Sequence, residues 1–317
     1  MNYTILSGGV GGAKLVAGFD ALLNSSKLRV IANTADDFVH LSLNISPDID
    51  TLMYTLAGIA NPATGWGIVD ETFECMDSID RLGGETWFRL GDKDLATHLQ
   101  RTLWLQQGKS LSEVTELLCT ALGIKTPIIP MSNDNVSTRV HTDEGVLAFQ
   151  DYFVRRRAAP AVNRLVYAGA DTATISSAAR DALSRDSLKG IVITPSNPYL
   201  SIDPILAVKG IREALRETSA PVVAVSPIVG GRALKGPTAK IMNELGLESS
   251  ALTIAKHYHG IIDGLIIDHA DSALADDIEA LGIKVCISNT VMTDIISKKD
   301  LAAAVTDFVA SFANESA

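Results

Sequence analysis

Six short runs rich in branched aliphatic residues punctuate the chain: YTILS at 3–7, LRVIAN at 28–33, GIVIT at 190–194, PVVAV at 221–225, GLIID at 264–268 and IKVCIS at 283–288. Each is apolar at consecutive rather than alternating positions, the pattern of a strand covered on both faces. Most are followed by a stretch with helical periodicity. The pattern therefore predicts an α/β fold, a Rossmann-like, doubly wound, mostly parallel sheet, in which ligands collect at the carboxyl ends of the strands. Two regions depart from this alternation. Helical patterns at about 94–107 and 110–122 follow one another with no strand between, and GVLAFQDYFV at 145–154 alternates with period two between TDEG and the basic RRR at 155–157. The expectation is one domain over 1–317. Its Rossmann-like core spans about 1–60 and 169–317, and a smaller helical and hairpin-rich subdomain spans about 61–168. The terminal ANESA is expected to fray.

Composition narrows the class. With 47% hydrophobic and 20% charged positions in 317 residues, the chain can bury a large core, so disorder is excluded. A formal net charge of −10 argues against a nucleic-acid partner, because binding a phosphate backbone needs a basic footprint. No basic segment precedes an apolar stretch at the N-terminus, and no run approaches the roughly 20 apolar residues of a membrane span. The expected location is the cytoplasm, with no membrane partner. Cys75, Cys119 and Cys286 are far apart and odd in number. They suit neither a disulfide framework nor a CxxC metal pair and read as buried thiols.

The candidate chemistry lies just after the strands. SGGVGGAK follows the first one and leads into a helix, which would aim backbone N–H groups at a phosphate. It is not a P-loop, since Gly12-Ala13-Lys14-Leu15 supplies no hydroxyl for magnesium, and Lys14 stands where a dinucleotide fingerprint needs its last glycine. After the second strand, NTADDFVHLSLNISPDIDT gathers Asp36, Asp37, Asp48 and Asp50. These are hard oxygen donors for Mg²⁺, or turn and helix-capping acids. TWFRLGDKDLATH at 86–98 sets Trp87 and Phe88 beside Arg89, either to stack a planar ring or to pack a core, and spaces Asp94 and His98 by four. MSNDNVSTRVHT at 131–142 is dense in short polar side chains that turns alone would explain. TPSNPYLSIDPILA at 194–207 puts Ser196 and Asn197 at a strand end. VSPIVGGRALKGPTAKIM at 225–242 does the same for Arg232 and Lys235, ahead of a helix start at Gly236-Pro237, and reads as a second anion site. HYHG at 257–260 is not a ligand pair, because residues two apart on a helix do not share a face.

These motifs, in this order over nearly the whole chain, resemble the 2-phospho-L-lactate transferase family of coenzyme F420 biosynthesis. The late DGLIIDHAD joins the set. The resemblance implies transfer of a phosphorylated three-carbon acid from its guanosine diphosphate conjugate to the ribityl hydroxyl of the deazaflavin Fo, with release of GMP. It implies Mg²⁺ held among Asp36, Asp37, Asp48 and Asp50, with Asp50, then Asp48, as the catalytic carboxylate. Gly9, Gly11, Gly12, Lys14, Ser196, Asn197 and Lys235 would hold the nucleotide. Asp50 and Arg89, with Trp87 near the ring, would contact the deazaflavin, and Asn33, Ser132 and Asp134 complete the implied substrate set. Asn133 and Asn135 stand where many relatives carry an acid and a proline, so phospholactate, phosphoenolpyruvate and phosphoglycerate all remain candidate acids. A homodimer is the family expectation. A non-enzymatic nucleotide-sugar-binding regulator of related fold explains the glycine stretch equally well but has no use for WFRLGDKDLATH; a nicotinamide-dependent dehydrogenase fails on the imperfect fingerprint.

Overall fold

The computed structural model describes residues 2–184 and 187–314, so most of the tail expected to fray lies outside the described residues. All six sequence-predicted strands form, and they pair in parallel. A seventh, Ile128–Pro130, adds to one edge beside Leu28–Ala32. It comes from TPIIP, within the segment expected to be separate from the core. Three residues are too few to show a period, and its proline suits an edge that needs no further donor. Across the sheet the order is Lys284–Ser288, Gly264–Asp268, Val222–Val225, Leu188–Ile193, Asn2–Ser7, Leu28–Ala32, Ile128–Pro130.

Both faces are buried, which accounts for the continuous apolar runs. Ile191 and Ile193 contribute to one core cluster and Val192 to the other; Val222 and Ala224 oppose Val223 and Val225 in the same way. Helices Gly9–Leu22 and Ile295–Asn314 pack on the face that buries Val192. The strand order reverses between Asn2–Ser7 and Leu188–Ile193, so the crevice of a doubly wound sheet opens beyond the ends of these two strands.

The intervening segment supplies helices Asp92–Gln106 and Leu111–Ala121, close to the predicted spans, and the second begins in a Ser110/Glu113 capping box. Ser137–Thr142, Gly145–Ala148 and Val162–Ala168 form an antiparallel sheet. The period-two pattern does not run through to 154: the strand stops at Ala148, and Asp151–Arg155 wind into a π-helical turn that buries Tyr152 and stacks Phe149 on Phe153 at 5.4 Å. Alternation misleads there because residues four apart on a helical turn can share a face as well. Among the described residues no helix is long and apolar enough to cross a membrane. Of the cysteines expected to be buried, Cys119 is buried, Cys286 half-buried and Cys75 exposed, since Cys75 sits in the first turn of the surface helix Glu74–Arg81.

Candidate active site

Two neighbouring strand ends meet at the crevice. The Ser196 hydroxyl donates to the Gly8 carbonyl at 2.6 Å and lies 2.8 Å from the Thr194 hydroxyl, joining the SGGVGGAK and TPSN segments. The glycine stretch is not a loop: Gly8 is the extended N-cap of helix Gly9–Leu22, and Gly9, Val10 and Gly11 line a cavity of about 480 Å³, the Gly9 N–H being taken by Asp48. Close approach explains Gly12. A β-carbon there would lie 2.4 Å from Ser7 Oγ, 2.5 Å from Ser196 Oγ and 2.8 Å from Thr194 Oγ1. Gly12→Ala is expected to cost about 1–3 kcal/mol as an overpacked site. Urea unfolding measures this, and a change below about 0.5 kcal/mol would mean the hydroxyls move aside freely.

The four aspartates separate into different settings. Asp48, in the first turn of helix Pro47–Leu56, accepts the Gly9 N–H at 2.7 Å and the Asn33 amide at 2.9 Å. Asn33 is wholly buried and lies under Asp48 rather than on the cavity wall. Burial pushes the Asp48 carboxyl up to about 6, against the lowering effect of those two hydrogen bonds. Asp36 lines the same cavity, and one of its oxygens, Oδ1, is buried with no partner. Burial, then the neighbouring Asp48 charge, raises its carboxyl well above the usual range. Asp37 is raised too, chiefly by burial, but it accepts the Ser46 hydroxyl at 2.7 Å and faces a second cavity of about 600 Å³. Asp50 is bound at both oxygens by Arg101, with Nη1 to Oδ2 at 3.1 Å and Nη2 on Oδ1.

That ion pair is fully buried and continues into a chain. His98 Nδ1 lies 3.1 Å from Arg101 Nη1, His98 Nε2 lies 3.2 Å from Asp94 Oδ1, and the Tyr54 hydroxyl donates to the same Asp94 oxygen at 2.5 Å. Asp94 is held below the usual carboxylate range: its burial opposes this, but the His98 and Tyr54 contacts and the Arg101 charge prevail. Asp50, Tyr54, Asp94 and His98 all reach the cavity. Arg101 and Tyr54 belong to no motif and are not among the residues expected from the sequence. One signal was available: Asp94, His98 and Arg101 fall at helical spacing and form a polar stripe on one face.

The remaining expected residues divide. Lys14 lines the cavity and donates to the Met292 carbonyl at 2.9 Å; burial, then the charges of Lys235 and Lys298, lower its ammonium. Lys235, Gly236, Pro237 and Thr238 border the cavity, whereas Arg232 lies exposed away from it. Ser196 and Asn197 line it, Asn197 also capping the next turn through the N–H groups of Tyr199 and Leu200. Arg89 reaches the rim with its side chain 52% exposed, paired to Asp77 at 2.8 Å. Beside it Phe88 faces this cavity, while Trp87 faces the second one and packs against Phe38 and His40. Ser132 and Asp134 are not brought in. Ser132 donates to the Thr174 carbonyl at 2.6 Å, and Asp134 accepts from the Thr174 N–H at 2.8 Å, so both hold a turn. His257, from HYHG, is engaged 2.9 Å from Asp203.

A Rossmann-like crevice lined by a glycine helix start, lysines and buried carboxylates is the candidate active site. Comparison with known proteins places the chain in a family: residues 4–308 match 2-phospho-L-lactate transferase CofD, and the chain belongs to that family. It is 38% identical over 312 residues to the 2-phospho-L-lactate transferase of Methanocaldococcus jannaschii, covering 97% of this chain and 98% of the relative. It is 40% identical over 301 residues to the phosphoenolpyruvate transferase of Streptomyces griseus, covering 93% and 94%. Among solved structures, protein BH3568 of Bacillus halodurans shares the fold, with a TM-score of 0.61, 16% identity and coverage of 97% and 98%.

Proposed function

We propose that this transferase moves a phosphorylated three-carbon acid from its guanosine diphosphate conjugate to the terminal ribityl hydroxyl of the deazaflavin Fo, releasing GMP, as a step of coenzyme F420 biosynthesis. The observation that carries this reading is the single cavity that brings the glycine helix start and Lys14 together with Asp36, Asp48, Asp50 and Arg89. The nucleotide diphosphate lies against the first-turn N–H groups, with Lys14 and Lys235 supplying positive charge. The acceptor lies toward Phe88, Arg89 and His98. The acceptor oxygen bonds to the phosphorus carrying the three-carbon acid, the bond from that phosphorus to the GMP oxygen breaks, and Asp50 takes the hydroxyl proton.

A divalent cation fits this reading. Asp36 and Asp48 are buried carboxylates on the cavity wall, ionised only at a cost, and Asp36 Oδ1 has no partner. Among the described residues no three His, Cys, Asp or Glu side chains group to hold a metal by themselves, so Asp36, Asp37, Asp48 and Asp50 do not assemble into the four-carboxylate set expected from the sequence; Mg²⁺ commonly takes one or two carboxylates plus substrate phosphates. Bound there, Mg²⁺ would neutralise charge on the diphosphate as GMP leaves.

The reading is tested by mass spectrometry of the purified protein with Mg²⁺, Fo and guanylylated 2-phospholactate, phosphoenolpyruvate or 3-phosphoglycerate. The expected result is a deazaflavin heavier by one phospho-acid, with GMP, from one of the three. No product from any of them, with nucleotide binding intact, would overturn the transfer and leave a nucleotide-binding regulator.

A further inference from the structure

Two segments on the cavity rim carry large apolar side chains that the fold leaves in the open. Trp66 is 52% exposed and Leu234 55% exposed, yet both border the cavity. Such residues are ordinarily scattered over a surface at random; here both line the space that a ligand would fill. Among the described residues no second aromatic ring stacks on the Trp66 indole.

The turn that presents Trp66 is built rather than loose. The Gly65 N–H donates to the Asn61 carbonyl at 2.9 Å, the Asn61 N–H to the Gly67 carbonyl at 3.0 Å, and the Thr64 hydroxyl to the Trp66 carbonyl at 2.6 Å. Gly65 and Gly67 hold φ of +82° and +72°, the left-handed region that permits this reversal. The turn also packs on the phosphate side of the site, since a β-carbon at Gly65 would lie 3.0 Å from Val10 Cγ1 and 3.2 Å from Lys235 Nζ. Trp66 is thus fixed beside the groups that meet the diphosphate, and Leu234 precedes Lys235 in the adjoining segment. In a nucleoside diphosphate, the flat group that a sugar links to the phosphates is the nucleobase.

We propose that Trp66 stacks on the nucleobase of the donor nucleotide and that Leu234 packs against the same ring, making the two rim segments a base clamp. This rests on the nucleotide-donor reading above. Stacking recognises a π-face rather than hydrogen-bonding edges, so the clamp adds affinity and sets the nucleotide's orientation.

The test is calorimetric binding of GDP and of inorganic pyrophosphate, with Mg²⁺, to the wild-type protein, Trp66→Ala and Trp66→Phe. Trp66→Ala is expected to weaken GDP about tenfold and Trp66→Phe by no more than about threefold. Pyrophosphate, which has no base, is expected to bind all three proteins within about twofold. GDP binding unchanged in Trp66→Ala would overturn the clamp alone. So would equal weakening of GDP and pyrophosphate, which would mean that the turn acts only through the phosphate side. Failure of the wild-type protein to bind GDP would overturn the nucleotide-donor reading itself, and the clamp with it.

Discussion

Asp50→Ala is expected to lose both transfer activity and about 3–5 kcal/mol of folding stability. From the family resemblance, Asp50 is the catalytic carboxylate. In the structure it is the partner of Arg101, which has no exposed surface and directs two guanidinium nitrogens at the carboxylate. The Asp50 charge and its hydrogen bonds keep that guanidinium protonated although burial opposes it, so removing Asp50 strands a buried cation. Arg101→Met is expected to cost a similar amount by stranding Asp50. Asp50→Ala combined with Arg101→Met removes both charges and is expected to recover more than half the summed loss, while activity stays absent. Urea unfolding of the four proteins measures the coupling. Losses that simply add would show that the pair does not act as a unit.

The second large effect is the pH and metal dependence of stability. Asp48 moves from 3.8 in an ordinary setting to about 6 in the fold, and Asp36 is raised as well, with burial the leading cause for both. A carboxyl with a raised folded value binds its proton more tightly in the native state than in the unfolded chain. Its contribution therefore favours the fold at low pH and is lost as pH rises from about 4 through about 6. Metal-free Asp36→Asn is expected to melt at least about 2 °C above the wild-type protein at pH 7.5, with the gap closing at pH 5. Millimolar Mg²⁺ is expected to raise the wild-type melting temperature at pH 7.5 and to do so less in the variant. Thermal melts across this range, with and without Mg²⁺, decide it. A gap that widens toward pH 5 would reverse the assignment of Asp36 as a carboxyl whose ionisation the fold disfavours.

The linear pattern reaches far where the physics is local. Consecutive branched residues mark strands because a sheet covered on both faces buries every side chain, and glycines after such a strand mark a helix start that must approach its neighbours closely. The glycine turn, Lys14, Asp36, Asp48, Asp50 and Arg89 share one cavity because they occupy segments beyond strand ends, and a doubly wound sheet gathers those ends. TPIIP stays hidden because a three-residue strand is defined by the neighbour it pairs with.

Which of several similar residues faces the site is a different matter, since it depends on rotations that no spacing encodes. Phe88 faces the first cavity and Trp87 the second because the segment packs Trp87 against Phe38 and His40. The polar set around Ser132 and Asp134 is spent on holding Thr174. The sequence by itself determined the strand–helix alternation, the family-defining motifs and the segments that carry charge, all of which follow from residue type and local period. Only the tertiary structure decided that Arg101 binds Asp50, 51 positions away, and that the turn carrying Trp66 packs at Gly65 against Val10 and Lys235. Such pairings arise from packing between distant segments, and neither residue carries a local signature of its partner.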